Sequence, residues 1–366
     1  MRLLICAGGT GGGVYPALAV LQAAANQIEE TLWVGGKGGM EASLVARSSQ
    51  PYTEISAAGV HGVGVRSLPA NLIKLAKGFF ESRRILREFK PDVLLFTGGY
   101  LAVPMALAGA NIPSLLYVPD IEPGLALKTL ARFADCIALT SEVSRRYFNP
   151  RKKLEVTGYP TRSELKTLPK EDARSTFGFS SSVPVLLIIG GSKGAQTLNK
   201  VVFEHLSELL DITQILHLTG SLDFETAQGY KNQLPALLAG RYQPYSYLHE
   251  EISNAFSCAD LALSRAGAST LGELPLFGLP AILVPYPFAW RYQKVNADYL
   301  AAQNAALVIE NDHLADELVA TVKELFTNRE RLANMQKNMK SLANPQAANQ
   351  IAELLVALGK RKEGTK

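Results

Sequence analysis

Two α/β halves, each wound around a parallel sheet, are what this sequence predicts. Short aliphatic runs alternate with helix-length stretches along the whole chain. Several of these runs are apolar without alternation, which marks strands buried on both faces. The chain also opens twice in the same manner, a buried strand passing straight into a glycine-rich turn: LLICAGGTGGG from Leu3 and VLLIIGGSKGA from Val185.

At 366 residues the chain exceeds one ordinary core and is comfortable for two. A composition of 47% hydrophobic and 19% charged residues suits a well-buried globular protein. Strands are expected, in order, at residues 3–6, 31–34, 92–97, 114–118, 136–140, 183–190, 214–219, 261–264 and 281–285. The segment VTGYPTR, from Val156 to Arg162, has the Gly and Pro of a hinge, and a charged, helix-like stretch follows from Glu164 to Arg174. The expected domains are residues 1–160 and 161–343, each Rossmann-like, with a cleft between them. Residues 344–358 form an amphipathic helix, and the charged tail 359–366 is expected to fray.

The longest apolar runs are strand-sized and far shorter than a bilayer-spanning helix. The amino-terminal run leads into glycines where a cleavage site would stand, so it reads as a first strand, not a signal peptide, and a cytoplasmic protein is expected. Cys6, Cys136 and Cys258 lack CxxC spacing and read as buried structural thiols. Five histidines without paired-ligand spacing give no reason to expect a metal. A net charge of +4 permits attraction to anionic membranes or phosphates but does not indicate a nucleic-acid partner.

Glycine lets a backbone approach a diphosphate closely at the carboxyl end of a parallel strand, where a following helix offers unpaired N–H groups. Gly8, Gly9, Gly11, Gly12 and Gly13 stand at one such place, and Gly190, Gly191 and Gly194 at another. Either turn alone is as well read as a tight connection; two in matching positions favour anion binding. The dinucleotide fingerprint fails, because Gly9-Thr10-Gly11 is followed by Gly12-Gly13-Val14 and the second strand ends in Val34-Gly35-Gly36 without a carboxylate. GGSKGAQ puts its lysine at the wrong spacing for a P-loop.

An ordered set of motifs narrows the class. GGTGGGVYPALAV is followed by Thr97-Gly98-Gly99-Tyr100, by Thr157-Gly158-Tyr159-Pro160-Thr161-Arg162 and by Gly190-Gly191-Ser192-Lys193-Gly194-Ala195. Then come Ser264-Arg265-Ala266-Gly267-Ala268, Glu273 and Gln293-Lys294-Val295-Asn296-Ala297. The set, spread over nearly the whole chain, resembles the MurG family of GT-B glycosyltransferases. These move N-acetylglucosamine from UDP-GlcNAc to lipid I on the cytoplasmic membrane face, in the peptidoglycan synthesis that underlies cell shape and division.

The resemblance implies an inverting transferase without cofactor or metal, and no D-x-D pair stands where a metal-bound diphosphate would need one. It implies acceptor binding by the amino-terminal domain and donor binding by the carboxyl-terminal one, with residues 344–366 returning to the first domain. By the same resemblance Ser192 lies against the diphosphate, and Arg162 supplies positive charge nearby. Ala268, Ser269, Thr270, Leu271, Gly272 and Glu273 form the nucleotide loop, Glu273 accepting from the ribose hydroxyls. The backbone of His249 meets uracil, Gln293 reads the sugar hydroxyls beside Asn296, and Thr10, Gly11 and Gly12 close over the donor. On residue type alone Glu273 is a solvated helix carboxylate and Gln293 a surface amide; their place within the motifs reverses that.

Two departures concern catalysis. The family's loop reads GGTGGH, its histidine being a proposed base or support for the acceptor 4-hydroxyl, and here that position is Gly13. The family's HEQN becomes Tyr117-Val118-Pro119-Asp120. Asp120 takes over as base, or else the chain uses another acceptor or turns over slowly; an N-cap preceding Ile121-Glu122-Pro123 is an equal alternative for Asp120. A related glycolipid or secondary-metabolite glycosyltransferase, and a non-catalytic UDP-sugar-binding paralogue, are the rival readings.

Finally, Leu72, Leu75, Ala76 and Phe79 share one helical face, ringed by Lys74, Lys77, Arg83, Arg84 and Arg87. Packing of that stripe on the sheet is the ordinary reading, but a lipid-linked acceptor favours peripheral docking on an anionic membrane surface.

Overall fold

The computed structural model of the chain describes residues 1–8, 11–39, 41–58, 68–191, 194–287 and 292–361. Two compact units divide it, Met1–Ser163 with Asn344–Lys366, and Glu164–Ala343. The first contains β1 (Arg2–Cys6), α1 (Gly11–Ala23), β2 (Glu30–Gly36), α2 (Glu41–Ala46), β3 (Tyr52–Ile55), α3 (Leu68–Phe89), β4 (Val93–Phe96), α4 (Ala102–Ala108), β5 (Ser114–Val118), α5 (Leu125–Leu130), β6 (Cys136–Leu139) and β7 (Lys153–Val156). Its seven strands run parallel in the order β3-β2-β1-β4-β5-β6-β7. Leu4, Cys6, Leu94, Phe96, Leu116 and Val118 form a core with Ile85, Leu86 and Phe89 of α3 and Met105 of α4.

The second unit contains α6 (Lys170–Thr176), β8 (Val185–Ile189), α7 (Gln196–Glu204), α8 (Leu206–Ile212), β9 (Gln214–Leu218), α9 (Phe224–Gln233), α10 (Ala236–Ala239), β10 (Tyr242–Tyr245), α11 (Ile252–Cys258), β11 (Leu261–Ser264), α12 (Thr270–Phe277), β12 (Ala281–Leu283), α13 (Tyr292–Ala302), β13 (Ala306–Val308), α14 (Leu314–Thr327) and α15 (Arg329–Ser341). Its six strands are parallel in the order β10-β9-β8-β11-β12-β13. Leu186, Ile188, Leu263 and Ile282 of the sheet pack with Leu198 and Val202 of α7 and Leu318 and Val322 of α14. The last helix, α16 (Ala347–Arg361), belongs to the first unit and packs on α1, β4 and β5.

The amino-terminal edges of both sheets are pinned by one device. Asp92, Asp135 and Asp260 each precede a strand, and each carboxylate accepts the first N–H of the neighbouring strand: Arg2, Ser114 and Val185, at 2.8, 2.8 and 2.7 Å. Charge-assisted bonds of this kind fix register where the ladder would otherwise leave N–H groups over.

The structure departs from the sequence-based expectation in four places. β3, β7, β10 and β13 were not expected, and all four are the outermost strands of their sheets. The helix expected from residue 164 begins instead at Lys170, after Pro169, whose fixed φ suits a helix start. The final helix continues through Gly359 to Arg361, and Gly359 packs so close to Met1 that a Cβ would come within 2.8 Å of its sulfur. On α3, Leu75 and Phe79 are half-buried, while Leu72, Ile73 and Phe80 are exposed, so the open apolar face is turned from the expected one. Cys6, Cys136 and Cys258 are free and buried.

Candidate functional site

Ligands of open parallel sheets bind outside the carboxyl ends of the strands, where strand order reverses. The reversal falls between β1 and β4 in the first sheet and between β8 and β11 in the second. All four strands lead into segments singled out from the sequence: residues 8–13, 97–100, 190–195 and 265–273.

In the first unit Gly11, Gly12 and Gly13 form the opening turn of α1, while Thr10 lies outside the described residues. Gly99 adopts φ +86°, and a Cβ there would stand 3.0 Å from the Gly8 carbonyl oxygen, so the turns after β1 and β4 meet through bare backbone. The Thr97 hydroxyl donates to the Gly13 carbonyl at 2.7 Å. A Cβ built on Gly13 meets Thr97 O and Oγ1 at 3.4 Å, close to ordinary contact, so the backbone here can carry a side chain that the sequence does not supply.

Asp120 follows β5 and is half-buried. The turn that bears it is held on both sides: the Thr140 hydroxyl donates to the Val118 and Pro119 carbonyls at 2.9 and 3.0 Å, and the Ser144 hydroxyl to the Ile121 carbonyl at 2.8 Å. With the Thr140 proton so engaged, the buried Tyr117 hydroxyl donates to Thr140 Oγ1 at 2.7 Å. Burial pushes the Tyr117 phenol well above its ordinary range, and the Asp120 charge adds to the rise. The N-cap alternative for Asp120 is overturned, since α5 starts at Leu125 with Gly124 at the cap position.

In the second unit Gly190, Gly191 and Gly194 enter α7, and Ser192 lies outside the described residues. Gly191 and Gly194 have φ of +92° and +79°, and a Cβ on Gly194 would collide with the Thr219 carbonyl. That seat is anchored from below. Asn199 Nδ2 donates to the Thr219 carbonyl at 2.8 Å and to Asp223 at 2.7 Å. Asn199 Oδ1 therefore accepts from His217 Nε2 at 3.0 Å, and His217 Nδ1 accepts from the Tyr242 hydroxyl at 3.0 Å. Burial holds the His217 imidazole down at about 3, which keeps this tautomer neutral. Sequence reading missed Asn199 and His217; the one available signal was a histidine between two leucines in the strand QILHL.

After β11, Ala268 is buried and Ser269 occupies the cap position of α12 without a side-chain cap bond. The Thr270 hydroxyl donates back to the Gly267 carbonyl at 2.6 Å. Leu271 and Gly272 are buried in the opening turn, and Glu273 is half-buried. α13 joins the same edge: buried Asn296 donates to the Ala266 carbonyl at 3.2 Å, and Gln293 Oε1 accepts from Tyr286 N at 2.9 Å. His249 is exposed, its ring 4.5 Å from that of Tyr247, and it follows β10, which β9 separates from β8. Arg162 belongs to the first unit, its guanidinium 4.6 Å from the centroid of the Tyr15 ring.

Residues 3–139 match the glycosyltransferase family 28 N-terminal domain, and residues 185–351 match the family 28 C-terminal domain. The UDP-N-acetylglucosamine–N-acetylmuramyl-(pentapeptide) pyrophosphoryl-undecaprenol N-acetylglucosamine transferase of Roseiflexus sp. (strain RS-1) is 37% identical, over 99% of this chain and 96% of the relative. Its namesake in Desulforamulus reducens is 34% identical, over 99% and 100%. The crystal structure of Acinetobacter baumannii MurG superposes with a TM-score of 0.77 at 28% identity, over 97% of this chain and 99% of that one. With two parallel-sheet units, both family 28 domains in order and full-length similarity to these transferases, the chain belongs to the MurG family of GT-B glycosyltransferases.

Proposed function

We propose that this protein transfers N-acetylglucosamine from UDP-GlcNAc to the muramyl 4-hydroxyl of lipid I, forming lipid II with inversion and without a metal. The observation that carries the reading is the reversal point of the second sheet. There the helices α7 and α12 start from the ends of adjacent strands, one entered through glycines, so that N–H groups and positive dipole ends face the crevice where a diphosphate would sit. In this reading Glu273 accepts from the ribose hydroxyls and the backbone at His249 meets uracil. The amide of Gln293, its oxygen already held by Tyr286, offers N–H groups to the sugar. Ser192 and Arg162 attend the phosphates, and Thr10, Gly11 and Gly12 contact the donor.

The first unit takes the acceptor, with Asp120 as the base that removes the 4-hydroxyl proton. Its tethered turn supports that role, because a base must be held within hydrogen-bond reach of the proton it takes. The helix α3 supports a peripheral place on the cytoplasmic membrane face: Leu72, Ile73 and Phe80 are 53, 69 and 68% exposed, among the exposed Lys74, Lys77, Arg83, Arg84 and Arg87. Apolar groups ringed by cations favour anionic lipid, about 1 kcal/mol for each basic residue. No helix among the described residues is long and apolar enough to cross a membrane. Sedimentation with anionic vesicles at low salt checks this, and protein left in the supernatant overturns it.

Transfer of radiolabelled sugar from UDP-GlcNAc to a short-chain lipid I analogue, with UDP release followed in parallel, tests the reading as a whole. Labelled disaccharide-lipid is the expected product. Gly13 and Asp120 favour a second reading, in which the same donor is used with a different acceptor; UDP-GlcNAc binding without product on lipid I, and turnover on another glycolipid, would establish it.

A further inference from the structure

Arg265 is the residue directly after β11, at the reversal point of the second sheet, and it is 7% exposed. Its Nη1 donates to the Val284 carbonyl at 3.0 Å and to Asn311 Oδ1 at 2.9 Å. Its Nη2 donates to the Thr197 hydroxyl at 2.5 Å, and its guanidinium carbon stands 5.5 Å from the centroid of the Tyr286 ring. The partners come from the opening turn of α7, the end of β12 and the segment after β13, so one guanidinium gathers the carboxyl ends of most of the sheet.

All these partners are neutral. Among the described residues no carboxylate pairs with Arg265, and Tyr286 is the one ionisable group whose charge bears on it, while burial pulls its affinity for the proton down. Arg174, also buried, shows the contrast: its Nη2 reaches the Asp260 carboxylate at 2.6 Å. A guanidinium stays protonated at any physiological pH, and a buried charge without a counter-ion is costly. Part of the N–H fork of Arg265 also remains unused by its three hydrogen bonds. A cation fixed in place, short of an anion and set between two helix N-termini calls for an anionic ligand.

We propose that Arg265 is the fixed positive charge of the donor site, its remaining N–H groups meeting the diphosphate of the UDP-sugar. The proposal rests on the transferase reading above. In the transfer step the acceptor oxygen bonds to the sugar C1 as its proton passes to the base. The bond from C1 to the β-phosphate oxygen breaks, and its electron pair stays on UDP. Arg265, already oriented by Thr197, Asn311 and Val284, stabilises the charge gained by that leaving group without having to reorganise. The same three bonds make Arg265 a structural pin as well, so the test must read the phosphates specifically.

Calorimetric titration of the full chain with UDP and with uridine does so. Arg265→Met is expected to weaken UDP by about 10-fold or more while uridine changes by less than about 2-fold, the span of one charge-assisted contact. Arg265→Lys, which keeps a cation without the fork, is expected to fall between. Thr197→Val removes only an exposed hydroxyl that orients the guanidinium, and is expected to weaken UDP a few-fold with uridine unaffected; it carries the test if Arg265→Met does not fold. Equal losses for UDP and uridine, or none for either, overturn the proposal and leave Arg265 as a pin. A wild-type protein that binds neither UDP nor UDP-GlcNAc sinks the transferase reading, and this proposal with it.

Discussion

The reversal points of the two sheets are built on one plan and furnished differently. Both place a glycine turn after one strand and a second polar segment after its neighbour, and both tie those turns down with buried hydroxyls or amides. At the second, side chains do the tying: Asn199 holds the seat of Gly194, Asn296 holds the Ala266 carbonyl, and Gln293 receives the Tyr286 N–H, with Glu273 at the same edge. At the first, Thr97, Thr140 and Ser144 are all engaged with carbonyls, Gly13 contributes no side chain, and Asp120 is the half-buried carboxylate in the turn after β5. In the proposed reading one edge spreads the donor contacts over several polar groups, whereas the other gives the proton transfer to Asp120 alone. Loss of one group should therefore be graded at the second edge and nearly complete at the first.

The largest expected effect follows at Asp120. Asp120→Asn should lower the rate of transfer by about 100-fold or more, the usual worth of a positioned base, with UDP affinity unchanged. A variant that turns over at the wild-type rate removes Asp120 from the chemistry and erases the contrast. Next comes Glu273→Gln, expected to weaken UDP by about 10-fold while leaving affinity for a nucleotide without ribose hydroxyls alone, as loss of a charged acceptor predicts. Equal weakening of both nucleotides would mean that Glu273 only supports α12. Gly13→His sharpens the contrast from the other direction: a Cβ fits there, and an imidazole at the turn after β1 should raise the rate several-fold if the first edge is short of a base. A fall in rate without loss of folding would show that Asp120 alone is already suited to its acceptor.

The smallest effect is on stability. The folded imidazole of His217 is held at about 3, below its ordinary value of 6.5, so below that value the unfolded chain takes up a proton that the folded chain refuses. This contribution is fully present above pH 6.5 and is lost as pH falls towards 3, with a slope of up to about 1.4 kcal/mol per pH unit. Denaturant titrations across that window should show a shallower decline for His217→Gln than for the parent. Identical slopes would mean that His217 is not a buried neutral link beneath the Gly194 turn.

How much of this was legible in the sequence depends on where a residue finds its partners. The central strands were legible because burial on both faces leaves an unbroken apolar run, as in VLLF of β4 and VLLII of β8. The outer strands were not: YTEI, KLEV, YQPY and ALV are short and half-exposed, and one contains a proline. The glycine turns were legible because they mark strand ends locally. Arg265 stood in view inside a motif, yet its setting comes from Asn311 and Thr197, 46 and 68 residues away, with no carboxylate partner among the described residues. The Thr140 clamp on Asp120 likewise joins the ends of neighbouring strands, which no spacing in the sequence announces.

The place of α16 bears on how the protein is made. The chain leaves the first unit after Ser163 and re-enters it at Asn344, whose side-chain amide donates to the Thr157 carbonyl at 2.8 Å, so exit and return lie side by side. The second unit is in effect an insertion within the first. During synthesis α1, β4 and β5 emerge early but wait for their covering helix until the whole of the second unit has left the ribosome. The first unit is thus begun first and completed last, with apolar surface open to chaperones in between. A stop codon just ahead of Ala347 would cripple the amino-terminal unit and spare the one beside it in the sequence.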